Sequence, residues 1–301
     1  MRKKYCILIA GPTAVGKTAV AIQVAGHFNT SVISADSRQC FKELNTGVAK
    51  PSAEELQQVK HYFVSTHSVE EEVSAAAFEQ YALDAVKEIF YEKDIAVVTG
   101  GTGLYIKAFC EGMDNMPDIP QEIRNSIRGE YSLKGLAWLQ EQVGKNDPQY
   151  FSSGEIQNPQ RLMRALEVVQ ATGQSILSFQ QGEKKKRDFT VIKTGIELPK
   201  DLLHRNINYR VDEMIKQGLL SEARSLLPYR NLNALQTVGY KELFDYFDGR
   251  FSLEEAVELI KKNTRQYAKR QVTWFRKDRE INWFSPGRVN EIISFVQSHV
   301  Q

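Results

Sequence analysis

The segment Gly11-Pro12-Thr13-Ala14-Val15-Gly16-Lys17-Thr18 constrains the fold of this chain more than any other part of it. It has the spacing G-x-x-x-x-G-K-[ST]. An apolar run at residues 6–10 precedes it, and a stretch of helical spacing at 17–28 follows. A backbone that curls at two glycines turns successive N–H groups toward one point, and a helix starting there adds the positive end of its dipole. Lys17 contributes a mobile positive charge and Thr18 a hydroxyl suited to Mg²⁺. A strand, loop and helix of this kind bind a polyphosphate or a diphosphate, and they belong in a parallel α/β sheet.

The rest of the first hundred residues agrees. Residues 32–35 read as a second strand ending on Asp36, and residues 95–99 as a third, closed by Gly100 and Gly101. Between them, residues 75–91 place Phe78, Tyr81, Ala82, Ala85, Val86 and Ile89 on one helical face. Strands bounded by glycines and separated by helices predict right-handed crossovers and a sheet covered on both faces. From about residue 113 to 188 there is no strand pattern; helices are expected near 121–130 and 133–143, and Asn158 and Pro159 start another that runs through Ala171. Residues 190–197 return as a strand, and the chain after Asp201 is mostly helical. The expected fold class is α/β: a P-loop NTPase-like parallel sheet core (residues 1–112 and 189–301), a helical insertion domain (113–188) and a helical carboxyl-terminal region. No apolar run approaches the ~20 residues that a membrane span needs. Three scattered cysteines, Cys6, Cys40 and Cys110, predict neither a disulfide framework nor a zinc site, so a reducing cytoplasm is the expected setting.

The loop does not identify its ligand. ATP or GTP is the usual occupant, but a Walker B strand then ends in an Mg²⁺-holding Asp. Here residues 95–98 run into Thr99-Gly100-Gly101-Thr102, without a carboxylate. The strand-end carboxylate of this half is Asp36. In open α/β sheets ligands sit at the carboxyl ends of the strands, so Asp36 is placed to face bound phosphates or a second substrate. An Asp followed by Ser also caps turns, and both roles stay open. Farther along, residues 260–280 carry eight basic side chains against two acidic ones, in a chain whose net charge is only +2. Lys262, Arg265, Lys269 and Arg276 form one stripe of that tract, and Lys184-Lys185-Lys186-Arg187 is a second basic cluster. Together they suit a phosphate backbone, although a solvated helix face gives the same pattern.

The loop, Ser34-Ala35-Asp36-Ser37-Arg38-Gln39 and Gly100-Gly101-Thr102-Gly103-Leu104-Tyr105 also belong to a longer series. It continues with Asn158-Pro159-Gln160-Arg161-Leu162-Met163-Arg164-Ala165-Leu166-Glu167, then Val238-Gly239-Tyr240-Lys241-Glu242, then the tract from Lys262 to Arg276 that contains Arg270-Gln271-Val272-Thr273-Trp274. In order, and over nearly the whole chain, these motifs resemble the tRNA dimethylallyltransferases (tRNA isopentenyltransferases). The resemblance implies transfer of a dimethylallyl group from dimethylallyl diphosphate to N6 of the adenosine immediately 3′ of the anticodon, in tRNAs reading codons that begin with U. The loop would then grip a prenyl diphosphate, which suits the missing Walker B carboxylate. Two departures stand out: Cys40-Phe41 where the family has an aliphatic residue and Tyr, and Asn206 where it has the first of two arginines, Arg210 matching the second.

On that resemblance Asp36 takes the proton of the attacking amine, while Lys17, Thr13, Arg210, the loop N–H groups and Mg²⁺ held with Thr18 stabilise the departing diphosphate. By spacing alone, Arg210 reads as a surface residue of an amphipathic helix, and only the resemblance reverses that reading. The adenosine must be flipped out of its stack, with Asp36, Ser37, Arg38 and Gln39 placed to meet its edge. The family further implies tRNA contacts by Thr102, Arg124, Gln160, Arg161, Leu162, Met163 and Arg164. Arg164 could instead pair with Glu167 on a solvated helix. One chain carries a complete set of these residues, so a monomer is expected. Rival readings are a small-molecule or nucleotide kinase, a prenyltransferase acting on free adenine nucleotides, and a non-catalytic RNA-binding module.

Overall fold

The computed structural model describes residues 3–180 and 182–300. Its sheet is built from β1 (Tyr5–Ala10), β2 (Val32–Ser34), β3 (His61–Tyr62), β4 (Ile95–Gly100), β5 (Thr190–Ile196) and β6 (Asn282–Phe284). The strands are all parallel, in the order β3-β2-β4-β1-β5-β6. β1 sits at the centre with every residue buried, which explains its unbroken apolar run. The helices are α1 (Lys17–His27), α2 (Ala53–Gln58), α3 (Ala75–Glu92), α4 (Gly103–Glu111), α5 (Gln121–Asn146), α6 (Pro148–Ser153), α7 (Pro159–Thr172), α8 (Lys200–Lys216), α9 (Leu219–Ser225), α10 (Tyr240–Phe247), α11 (Leu253–Phe275) and α12 (Val289–His299). Among the described residues no helix is long and apolar enough to cross a membrane.

The chain forms two compact units, one from the described parts of Met1–Glu111 and Lys186–Gln301, the other from Gly112–Lys185. In the first, α1 buries Val20, Ala21, Val24 and Ala25 against the β1 side chains Ile7 and Ile9. Phe78 of α3 stacks on Tyr105 of α4 with ring centroids 4.5 Å apart. The second unit has its own core, in which Ile127, Leu139 and Val143 of α5 meet Leu162 and Leu166 of α7. The sequence pattern placed two helices where α5 runs, and the structure has two helical stretches that meet at a kink on Gly135, whose φ of 74° is open to glycine and strained for other residues. The sheet also holds two strands that no periodicity announced, β3 and β6, with two and three residues each. Segments that short carry too few alternations to register.

Arg187 corrects the reading of a second basic cluster. Its guanidinium donates to the carbonyls of Phe109 (2.8 Å) and Ala108 (2.7 Å) and pairs with Glu79 at 2.8 Å, and both side chains are about nine-tenths buried. The charge closes a helix end and a core carboxylate; it is not offered to a polyanion.

Candidate active site

Parallel register brings three loops to one edge of the sheet. Ala10 lies opposite Gly100, and Ser34 opposite Thr99, so the turns after β1, β4 and β2 leave side by side. β4 separates β1 from β2, and the Asp36 loop therefore reaches the phosphate loop across the glycines that end β4. A Cβ on Gly100 would lie 2.2 Å from the Ala35 carbonyl oxygen, so only glycine permits this approach. The Ala35 N–H donates to Thr99 O at 2.6 Å, and the Thr102 N–H to Ala35 O at 3.2 Å. β4 ends with its Thr99 hydroxyl turned to the Ile9 carbonyl (3.1 Å), which leaves no acidic side chain at the Walker B position.

Within the phosphate loop Gly16 precedes α1 at φ 95°, which a β-carbon would strain. Lys17 donates to Pro12 O at 2.7 Å. Burial pushes its ammonium down to about 8; Asp36 opposes that shift and Arg210 adds to it. Arg210, from α8, reaches the Thr13 hydroxyl at 3.5 Å, and burial lowers its pKa as well. It therefore faces the loop and not bulk solvent. Asn206, one helical turn earlier, donates to Ala14 O at 3.3 Å, whereas Arg205 is exposed. Neither Lys17 nor Arg210 has an ion-pair partner among the described residues, although both are half-buried or more.

Gln271 of α11 was given no role in the sequence, and it clamps this edge. It is buried, its Oε1 accepts from Thr13 N–H (2.8 Å), and its Nε2 donates to Gly101 O (2.9 Å). Its signal was the i,i+4 spacing from Tyr267 within α11, which puts both on the face toward the glycine loop.

Asp36 caps its turn and also borders open space at the strand ends. Its Oδ1 caps the turn, accepting from the N–H groups of Arg38 (2.9 Å) and Gln39 (3.3 Å). The same carboxylate lines two cavities. One, of about 220 Å³, adjoins the phosphate loop and is lined by Lys17, Thr18 and Gln271 among others. The second, of about 690 Å³, is lined by Arg38, Asn263 and Arg270 among others. Thr13, Asp36, Val48, Ala49, Arg210 and Tyr267 line both and form the wall between them.

Other residues of the expected site are used differently. The Gln39 amide is turned into the scaffold: its Oε1 accepts from Ser34 Oγ (3.0 Å), and its Nε2 donates to Val48 O (3.3 Å) and Ala49 O (2.9 Å). Thr102 ties the two loops, accepting from Ser37 N–H at 3.0 Å and donating to Ser37 Oγ at 3.3 Å. In the other unit, Arg124 is half-buried on α5, and Gln160 and Arg161 are exposed at the start of α7, where Asn158 Oδ1 caps both N–H groups. Arg161 pairs with Glu155; Arg164 pairs with Glu167 at 3.4 Å and approaches Pro117 O at 3.5 Å. Leu162 and Met163 are buried in that unit's core, because the apolar stripe of α7 faces α5; they are scaffold and present no surface to an RNA. The basic tract of residues 260–280 is partly taken up by partners within the protein: Lys261 pairs with Asp212 at 2.7 Å, Arg265 donates to Asn208 Oδ1 at 2.5 Å, and the exposed Arg276 pairs with Glu197. Lys262 and Lys269 remain exposed, and Arg270 lines the larger cavity.

Known proteins share this arrangement. The family profile described as IPP transferase matches residues 39–278. A tRNA dimethylallyltransferase of Cytophaga hutchinsonii is 45% identical over 298 residues, covering 99% of this chain and 98% of the relative. One from Christiangramia forsetii is 46% identical over 297 residues, covering 98% of each. Among solved structures, the tRNA isopentenylpyrophosphate transferase of Bacillus halodurans superposes with a TM-score of 0.73 at 33% identity, over 99% of this chain and 97% of that one. A eukaryotic dimethylallyltransferase acting on tRNA gives 0.73 at 26% identity, over 90% of this chain and 70% of its own. With a matching profile over most of its length and relatives of this similarity from end to end, the chain belongs to the IPP transferase family, the tRNA dimethylallyltransferases.

Proposed function

We propose that this protein transfers a dimethylallyl group from dimethylallyl diphosphate to N6 of the adenosine immediately 3′ of the anticodon, in tRNAs that read codons beginning with U. The observation that carries the reading is the double cavity: a small polar chamber at the phosphate loop and a large one beyond it, with Asp36 in the wall common to both. A diphosphate occupies the first, a flipped base enters through the second, and the carboxylate stands where they meet. Two cations that form no ion pair within hydrogen-bonding range among the described residues, Lys17 and Arg210, and that are only offset at longer range by Asp36, suit a multiply charged anion.

Adenine N6 is a weak nucleophile because its lone pair is delocalised into the ring. As it bonds to the allylic carbon of dimethylallyl diphosphate, the carbon–oxygen bond breaks and the diphosphate leaves with the electron pair. N6 becomes cationic and gives one of its two protons to the Asp36 carboxylate. The N–H groups of the phosphate loop, Lys17, the Thr13 hydroxyl and Arg210 meet the charge that grows on the leaving oxygens. Gln271 holds the Thr13 backbone in register with Gly101, so these donors are oriented before substrate arrives.

The donor set fits Mg²⁺, which takes one or two protein oxygens together with substrate phosphates. The Thr18 hydroxyl opens into the small chamber beside Asp36, and among the described residues no cluster of three or more His, Cys, Asp or Glu competes for the ion. When bound, the ion neutralises diphosphate charge. In the helical unit, Arg124, Gln160, Arg161 and Arg164 supply the tRNA backbone contacts, with residues 112–185 serving as the tRNA-contacting domain and the rest as the catalytic one.

The test offers labelled dimethylallyl diphosphate and Mg²⁺ with unmodified tRNA or with free AMP, and ATP alone with tRNA. Label in tRNA is expected, without any need for ATP. Label in AMP alone, or ATP hydrolysis without carbon transfer, would overturn the proposal.

A further inference from the structure

Glu222, on α9, lies outside every motif that carried the family resemblance, yet its carboxylate accepts from four donors. Its Oε2 accepts from the N–H groups of Asn45 (3.2 Å) and Thr46 (2.8 Å), and its Oε1 from the Gly47 N–H (3.0 Å) and the Tyr240 hydroxyl (2.6 Å). Three successive backbone donors thus wrap one carboxylate, as such a nest of N–H groups does with any small anion. Tyr240 is fully buried and cannot move aside. A Cβ on Gly47 would lie 2.5 Å from the Tyr240 hydroxyl, so the loop fits this cradle only with glycine.

The cradle's loop leads directly to the reaction centre. Val48 and Ala49, next in the chain, belong to the wall between the two cavities, and Ala49 is held at φ 47°. Their carbonyls take both protons of the Gln39 amide, whose own backbone N–H donates to Asp36 Oδ1. Lys50 pins the far end of the loop, donating to Phe41 O (2.5 Å) and Asn45 Oδ1 (3.2 Å). From α9 to Asp36 the path alternates hydrogen bonds with covalent links, through the backbone of residues 45–49 and through the Gln39 side chain. We infer that Glu222 is a positioning residue for Asp36, acting through the loop at residues 45–49 and the Gln39 amide. The inference rests on the proposed transfer reaction, in which Asp36 receives the proton.

Gln39, Val48 and Ala49 border the small chamber, but no hydrogen bond of this path ends on Lys17 or on the Gln271 clamp, so the cation and the clamp that meet the diphosphate keep their own contacts when Asp36 loses its fixed orientation. Glu222→Gln replaces one acceptor oxygen by a donor that opposes the loop N–H groups; Gln39→Met cuts the same path at its other end without disturbing the cradle. The experiment measures the single-turnover rate of dimethylallyl transfer to saturating tRNA and the KM for dimethylallyl diphosphate, for the unaltered protein, both variants and the double variant. Each single variant is expected to slow transfer about 10- to 100-fold, with KM changed by less than about twofold. The double variant is expected to be no slower than the slower single one, because the residues act in series. Transfer by Glu222→Gln at the unaltered rate, a rise in KM in place of the rate loss, or multiplying losses in the double variant would overturn the inference. If Glu222→Gln does not fold, an unaltered rate for Gln39→Met overturns it equally. Absence of transfer by the unaltered protein would instead overturn the proposed function, and the inference with it.

Discussion

At the strand ends, Lys17 and Arg210 are drawn in beside the phosphate loop with no ion pair among the described residues, whereas on α7 Arg161 rests against Glu155 at the surface and the half-buried Arg164 against the buried Glu167. The first arrangement is costly in isolation: burial pushes Lys17 down to about 8 and lowers Arg210, so the folded chain there is waiting for negative charge. The second is ordinary, since exposed pairs contribute about 0–1 kcal/mol and open readily to a competing phosphate. The contrast separates a site built for one anion in one pose from a surface that adapts to a long polyanion. The same two units also divide their apolar residues, one covering a sheet and the other packing helix on helix.

The comparison breaks most sharply at Asp36. Asp36→Ala should lower the transfer rate by about 10²–10⁴-fold, the usual worth of a positioned proton acceptor, and leave tRNA affinity within a few-fold. Rapid-quench kinetics beside filter binding measure both. A loss of tRNA affinity matching the loss of rate would make Asp36 a binding group only. Arg187 probes the opposite kind of charge. Arg187→Met takes the guanidinium away from the buried Glu79 carboxylate and from the Phe109 and Ala108 carbonyls, so chemical denaturation should report a loss of up to about 3–5 kcal/mol, while the salt dependence of tRNA binding stays as it was.

A smaller effect sharpens the anion site. Lys17 has a folded pKa below its ordinary 10.5, so below about pH 8 the free protein already carries the charge that a diphosphate needs. Above pH 8 the free protein loses that proton and must take it up again on binding, so the affinity for inorganic diphosphate should fall by up to about tenfold per pH unit until the bound-state pKa is reached. The same depression makes the unliganded fold gain stability as pH rises from about 8 toward 10.5, because the unfolded chain then holds the extra proton. Calorimetry in two buffers of different ionisation enthalpy should detect the proton uptake, and Lys17→Met should abolish it. The smallest effect belongs to α7: Arg161→Ala should weaken tRNA binding by about 1 kcal/mol or less and reduce the magnitude of the salt slope by about one counterion, with the rate on bound tRNA unchanged.

Much of this was legible from residues alone, for physical reasons that differ by element. The phosphate loop announces itself because glycine spacing, strand and helix must all coincide, and α11 because Ser252 and Glu255 form a capping box that the structure contains, with bonds of 2.8 and 3.2 Å. The strands β3 and β6 are set by tertiary pairing and leave no periodic trace. Side-chain direction was harder still. Arg187 looked like its lysine neighbours and is buried; Gln39 looked like a base reader and faces the scaffold; Leu162 and Met163 lie in a basic motif and fill a core. In each case sequence position told which loop or helix carried the residue, and only packing told which way it pointed. Gln271 and Glu222 went unassigned because their partners are backbone groups far away in the chain, which no local pattern encodes.

The most direct measurement follows both products of one turnover. With dimethylallyl diphosphate and unmodified tRNA, released diphosphate should equal transferred label, and digestion of the tRNA should place all the label on N6 of the adenosine 3′ to the anticodon. Diphosphate released without carbon on that amine, or label on another position, would contradict the account of a phosphate loop that grips a leaving group beside a proton-accepting aspartate.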